Sequence, residues 1–407
     1  MESISAGDTA WVLISSALVL VMTPALAFFY GGMVRRKNIL STLNLSFIMI
    51  GLISIQWVLY GYSLSFGSDI GGLIGGLNFV GLSGVGAAPG DYASNIPHLA
   101  FAAFQMMFAI ITPALITGAF IERVRFRTFL LFSLLWATLV YDPVCHWVWG
   151  AGGILGRMGA LDFAGGTVVH ITAGFSALAF ALAIGPRKGF GRNTFEPSNI
   201  PYSVLGAGLL WMGWFGFNGG SALAADGLAV QAVMTTNTAA AAAGLVWMLL
   251  SWIDGKPSVL GIVTGAVVGL VAITPGAGFV TPLAALVIGA VAAPISYYAI
   301  KFIKGRNLVD ESLDVFACHG LGGLWGALAT GLFATTSVNP NGADGLFYGN
   351  LNQFLVQLGG AALVIVFSTA VTFVLAKVLD KISGLRVSLA EEEVGLDISE
   401  HGERAYA

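Results

Sequence analysis

Two histidines stand deep in apolar sequence, where an imidazole is the side chain best placed to do chemistry. His170 lies in LDFAGGTVVHIT (Leu161–Thr172), and His319 lies in DVFACHGLGG, 149 residues later. An ionisable group inside hydrocarbon is expensive, so its default reading is functional. Packing residues that each bond a neighbour are the bland alternative. Desolvation disfavours the charged ring, so both are expected to be neutral. A neutral pair offers donors and acceptors to a lumen. It can pass a proton, bind a small polar molecule, or hold a metal or a haem.

An acid, Asp162, precedes His170 by eight residues, about 12 Å along a helix at roughly 1.5 Å per residue. With Asp162 near one membrane face, His170 falls near the middle. Asp162 reads first as an N-cap, its carboxylate accepting backbone N–H groups. Facing a cation is the alternative, and a fixed negative charge near a mouth favours cations in either case.

Aromatic residues cluster near the same places. Phe104 and Phe108 are spaced i, i+4 and share a helix face. The segment WMGWFGFNGGS brings together Trp211, Trp214, Phe215, Phe217 and Ser221, and HWVWG contains His146, Trp147 and Trp149. Most such rings form an interfacial belt or core. The functional reading is a cation-π cup with a hydroxyl acceptor, suited to a small cation that donates hydrogen bonds.

The elements that must position these groups are membrane spans. Hydrophobic residues make up 57% of the 407-residue chain and charged residues 10%, against about 25% charged in soluble domains. The mean hydropathy is +0.84. This is the composition of an all-α polytopic membrane protein, so the net charge of −3 says little about partners and nothing suggests nucleic acid. Glu2 and Asp8 precede the first apolar run and no base does, which does not fit a signal peptide. Runs of about 20 apolar residues predict eleven spans: 9–32, 39–66, 97–121, 126–149, 161–184, 200–220, 226–253, 258–275, 280–303, 311–336 and 347–380. With eleven spans, 17 of the 18 lysines and arginines fall on one side, Arg157 being the exception. The positive-inside rule then puts the N-terminus outside and the C-terminus in the cytoplasm.

The outer loop 67–95 is glycine-rich and reads as an ordered vestibule. The tail after residue 383 carries six acids and is too polar to span, so the expected division is a membrane domain, 1–383, and a cytosolic tail, 384–407. Gly261, Gly265 and Gly269, and Gly322 and Gly326, read as close helix contacts. Cys145 and Cys318 make neither a disulfide framework nor a zinc spacing, and no metal or cofactor is expected.

A weak internal repeat is visible. Thr112-Pro113 breaks span three and Thr274-Pro275 ends span eight, while His170 and His319 lie in spans five and ten. Both pairs are five spans apart. An odd offset implies two inverted five-helix halves, about 9–184 and 200–336, with the eleventh helix added outside.

The segments FYGGMVRRKN (29–38), GALDFAGGTVVHI (159–171), GWFGFNGGS (213–221) and DVFACHG (314–320) resemble the ammonium transporter family (Amt/Mep, distantly related to Rhesus proteins). The resemblance runs from the first span to the tail. It implies a homotrimer of eleven-helix subunits, each with its own pore, in the cell membrane. It implies that His170 and His319 are the pore histidines, that Phe108 and Phe217 form a gate with Phe104 beside it, and that Trp214 lines the pore. Trp149, Ser221 and Phe108 would be the outer cation site and Asp162 the structural acid. It also implies ammonium or ammonia as substrate, methylammonium as analogue, and a PII-type signalling partner at the tail. An enzyme is not expected. Two other classes stay open: an ammonium sensor that signals through the tail, and a bis-histidine haem protein.

Overall fold

The computed structural model describes residues 4–406. Apolar runs in this chain become helices because no water is available in lipid to satisfy exposed backbone groups. In chain order the long helices are α1 (Ala6–Met33), α2 (Arg36–Phe66), α3 (His98–Ala119), α4 (Phe126–Arg157), α5 (Gly166–Ile184), α6 (Ile200–Gly220) and α7 (Gly227–Ile253). They continue as α8 (Val259–Ile273), α9 (Pro282–Gly305), α10 (Phe316–Phe333) and α11 (Leu351–Ser383). Among the described residues, ten of these are long and apolar enough to cross a membrane, and α8 is a shorter apolar helix. The eighth expected span thus exists as a helix but is too short to count on length alone.

Local sequence accounts for where helices begin. Ser5, Asn199, Asp226, Ser258, Thr281 and Asn350 each accept a backbone N–H at the start of α1, α6, α7, α8, α9 and α11. These side chains satisfy donors that a helix leaves orphaned at its N-terminus. Helix pairing then follows small residues. On α6, a Cβ at Gly206 would lie 2.4 Å from the backbone nitrogen of Phe29 on α1. The expected close contact at Gly269 is present too, its Cα facing Ala239 and Ala243 of α7.

The loop between α2 and α3 is ordered. It contains two small antiparallel hairpins, β1 (Asp69–Ile70) with β2 (Ile74–Gly75), and β3 (Pro89–Gly90) with β4 (Ala93–Pro97). At the opposite end of the bundle, loops carrying the basic residues meet. Glu122 accepts from Arg35 Nε (2.9 Å), Asn38 Nδ2 (2.9 Å) and Arg187 Nη1 (2.5 Å). Arg187 also pairs with Asp310 through Nη2 at 2.7 Å. Burial raises the Glu122 carboxyl, but Arg187 and then Arg35 hold it below its ordinary value. The α1–α2, α3–α4, α5–α6 and α9–α10 connections are therefore joined at one end, the grouping that the charge asymmetry predicts.

The polar tail docks on this same end through two short helices, α12 (Leu389–Val394) and α13 (Leu396–Ser399). Asp397 Oδ1 accepts from Ser41 N at 2.8 Å, and Leu396 N donates to Asn38 Oδ1 at 2.8 Å. Asn38 therefore bridges the tail to the buried ion cluster.

Candidate functional site

The two histidines meet. His170 and His319 approach through their Nδ1 atoms at 3.3 Å, with ring centroids 5.3 Å apart. Both are nearly fully enclosed, at 1% and 4% exposed. Of two neutral rings in Nδ1–Nδ1 contact, one donates and the other accepts, so one Nε2 is left bare and the other carries a proton. His170 Nε2 has no protein partner.

Each ring sits in a π-helical turn rather than a plain α-helix: Gly166–Ile171 for His170 and Phe316–Leu321 for His319. Such widened turns are rare and concentrate at functional sites. Glycine makes the crossing possible. A Cβ at Gly174 would stand 2.0 Å from the Gly320 nitrogen, and one at Gly323 would stand 2.9 Å from the His170 Cβ. The two helices can touch at this point only through bare backbone.

Asp162 caps its turn as expected. Its Oδ1 accepts from Gly165 and Gly166 at 2.8 and 2.7 Å, and its Oδ2 from Thr167 and Val168 at 2.8 and 3.1 Å. Four backbone donors saturate the carboxylate, so it has no lone pair left for a direct contact. The turn requires Gly165 at φ +110°, a left-handed conformation that suits glycine. Because residues 162–165 are not helical, the pure-helix estimate of the rise from Asp162 to His170 does not apply.

Above the histidines the aromatic side chains are stacked in series. Trp214 lies over His170 at 5.5 Å between centroids, held by Nε1–H donation to Thr274 Oγ1 at 2.9 Å. Phe217 is 6.0 Å from His170 and 4.2 Å from Phe108. Phe104 touches Phe108 edge-on at 5.0 Å, and Trp149 does so at 6.0 Å. Trp149 Nε1 donates to the Asp162 carbonyl at 2.9 Å, which fixes the indole. Ser221 Oγ donates to the Phe217 carbonyl at 2.8 Å, leaving its own lone pairs free to accept.

Three spaces follow one another along this column. A first cavity, at the end of the bundle away from the basic loops, has about 400 Å³ and is lined by Phe108, Trp149, Asp162 and Ser221. Past the Phe108–Phe217 contact, a space of only about 10 Å³ is bounded by His170, Trp214, Phe217 and His319. Beyond His319, a third cavity of about 290 Å³ reaches Lys304 and Asp314 at the end where the basic loops meet. His170, His319, Trp214, Phe217, Phe108, Trp149, Asp162 and Ser221 lie on this column and Phe104 lies against it. His146 and Trp147 instead bond Ser65, Asp69 and Leu73, and Phe215 lines a separate groove with Trp11.

Three features were missed. Gln105 lines the first of these cavities. Thr274 was singled out only as part of a repeat, and it anchors Trp214. Glu311 accepts from Phe316 N at 2.7 Å at the start of the His319 turn. A signal for Glu311 was present: it precedes His319 by eight residues, the spacing of Asp162 to His170.

A family model described as Ammonium Transporter Family matches residues 10–406. An ammonium transporter of Bacillus subtilis is 52% identical over 401 residues, covering 98% of each chain. The crystal structure of Candida albicans Mep2 superposes with a TM-score of 0.89 at 35% identity, covering 95% of this chain and 88% of that one. A solved structure described as a sensor Amt protein also gives 0.89, at 29% identity and covering 97% and 98%. With the family model spanning nearly its whole length, this multi-pass membrane protein belongs to the ammonium transporter family.

Proposed function

We propose that this chain captures ammonium at the outer cavity, where the cation gives up a proton to water of the open cavity, and conducts ammonia through the histidine-lined space to the far cavity. The observation that carries this reading is the space of about 10 Å³ between the Phe108–Phe217 pair and His319. It has room for about one water-sized molecule and none for a hydration shell. Dehydrating an ammonium-sized ion into such surroundings costs on the order of 20 kcal/mol by idealised Born arguments, and several kcal/mol after relaxation. Ammonia carries no charge and avoids that cost.

Trp149 and Phe108 supply ring faces to the cation, Ser221 supplies an acceptor, and Asp162 supplies a nearby negative charge. Phe108 and Phe217, with Phe104 behind them, form the gate. The His170–His319 pair offers ammonia a donor and an acceptor in an otherwise greasy passage, with Trp214 as its wall. Potassium can enter the cup but has no proton to give up, so selectivity is completed at deprotonation. The histidine pair is also a route by which the proton can follow, which would make transport electrogenic.

In this reading the membrane domain, 1–383, has eleven spans, α8 included. Its two inverted five-helix halves are related by the Asp162–His170 and Glu311–His319 pairs. The N-terminus is outside and the tail, 384–407, is cytosolic, in a homotrimer in the plasma membrane. The docked tail presents the surface for a PII-type partner. The test is flux and current through the purified chain in liposomes, with ammonium or potassium as the only permeant. Ammonium flux without potassium flux is expected; equal passage of both would remove the reading.

A second reading, an ammonium sensor, is favoured by the likeness to the sensor Amt protein and by the tail's direct attachment to the ion cluster through Asn38. Restored growth on limiting ammonium with a flux-dead variant would select it.

A further inference from the structure

The outer cavity contains a polar side chain that the protein leaves uncommitted. Gln105 lies on α3 between Phe104 and Phe108 and lines the same cavity as Trp149 and Ser221. It is 9% exposed, and its Oε1 has no hydrogen-bond partner. Three other polar groups around it have partners: Trp149 Nε1 donates to Asp162 O, Ser221 Oγ donates to Phe217 O, and the Asp162 carboxylate accepts four backbone bonds. An apolar residue would suit a wall of rings better than an amide with an orphaned oxygen. Torsion about the last side-chain bond of glutamine is soft, so the carbonyl is able to follow a donor.

We infer that Gln105 is a specificity-determining residue of the outer site: its carbonyl accepts one N–H of the captured ammonium while Ser221 Oγ accepts another. The inference rests on the ammonium-transport reading above. Ring faces attract any small cation without regard to its hydrogens. Among ammonium ions, two acceptors set around the ring faces select one that can donate at least twice, and a hydrogen bond to a charged donor is stronger than a neutral one. Ammonium and methylammonium meet that requirement. Trimethylammonium, with one N–H, satisfies only one acceptor.

The experiment uses the full chain in liposomes. Ammonium flux is measured against concentration, with methylammonium and trimethylammonium as competitors. Gln105→Met keeps the shape and removes the carbonyl. It is expected to raise half-saturating ammonium about tenfold, the loss of one charge-assisted bond. Inhibition by methylammonium should weaken in parallel, and inhibition by trimethylammonium should stay within about twofold because that ion never used the second acceptor. Should Gln105→Met not fold, Gln105→Asn withdraws the carbonyl by one methylene and carries the same expectation. Unchanged half-saturation, or equal weakening of both amines, overturns the assignment while leaving the transport reading intact. A wild-type chain that passes no ammonium overturns the transport reading itself.

Discussion

His170 and His319 come from helices 149 residues apart and meet through like atoms, Nδ1 to Nδ1, at 3.3 Å. The contact makes one proton common to two rings and commits their outer nitrogens to opposite roles, one bare and one protonated. It also joins α5 to α10 inside the bundle.

Removing either ring should therefore remove the shared function. His170→Ala and His319→Ala are each expected to lower ammonium flux by about tenfold or more, the loss of a buried hydrogen-bonding group in a narrow passage. Methylammonium uptake reads the flux, and size-exclusion chromatography checks that the variants still assemble. Wild-type flux in both would take the pair out of the mechanism.

Capture should separate from passage. Trp149→Leu removes a ring face worth roughly 0.5–2 kcal/mol to a cation. Half-saturating ammonium should rise by about twofold to thirtyfold on that basis, with a smaller change in maximal flux. A concentration curve that superimposes on wild type would leave Trp149 as packing only.

The backbone crossing at the histidines should not tolerate a side chain. Gly174→Ala would place its Cβ 2.0 Å from the Gly320 nitrogen, and backbone on both sides gives little room to yield. Overpacking typically costs about 1–3 kcal/mol and occasionally more. A lower unfolding temperature in detergent, with reduced flux, is the expected result. Retained stability would mean that α5 and α10 can separate without cost.

The ion cluster should show a defined pH dependence. Because the Glu122 carboxyl is held below its ordinary value in the fold, its contribution is present at neutral pH and fades as pH falls through that lowered value. Glu122→Gln leaves Arg35 and Arg187 short of a partner, at a cost of about 3–5 kcal/mol for a broken buried pair. Thermal unfolding at pH 7 should separate variant from wild type, and the gap should close towards pH 3. A gap that does not change with pH would assign the effect to packing.

Much of the fold was legible in the chain because its physical causes are local. Apolar run length and the one-sided placement of basic residues mark the spans, and Asp162 marks the cap before the His170 turn. Residue type alone singled out His170 and His319, since an imidazole in lipid stands out against such a background; Phe108, Phe217, Trp149 and Ser221 were picked from among the clustered rings by the family resemblance. The bundle decided what depends on distant partners. No periodicity reveals that both histidines ride π-helical turns, because runs of apolar residues read alike in an α-helical and a π-helical turn. Nor does sequence distinguish a saturated Asp162 from one facing a cation, since its four donors become available only once the backbone has turned at Gly165. Glu122, Arg187 and Asp310 read as scattered loop charges until folding buries them together. Gln105 looks like one polar residue on an apolar helix; only the cavity around it, built from several helices, leaves its oxygen without a partner.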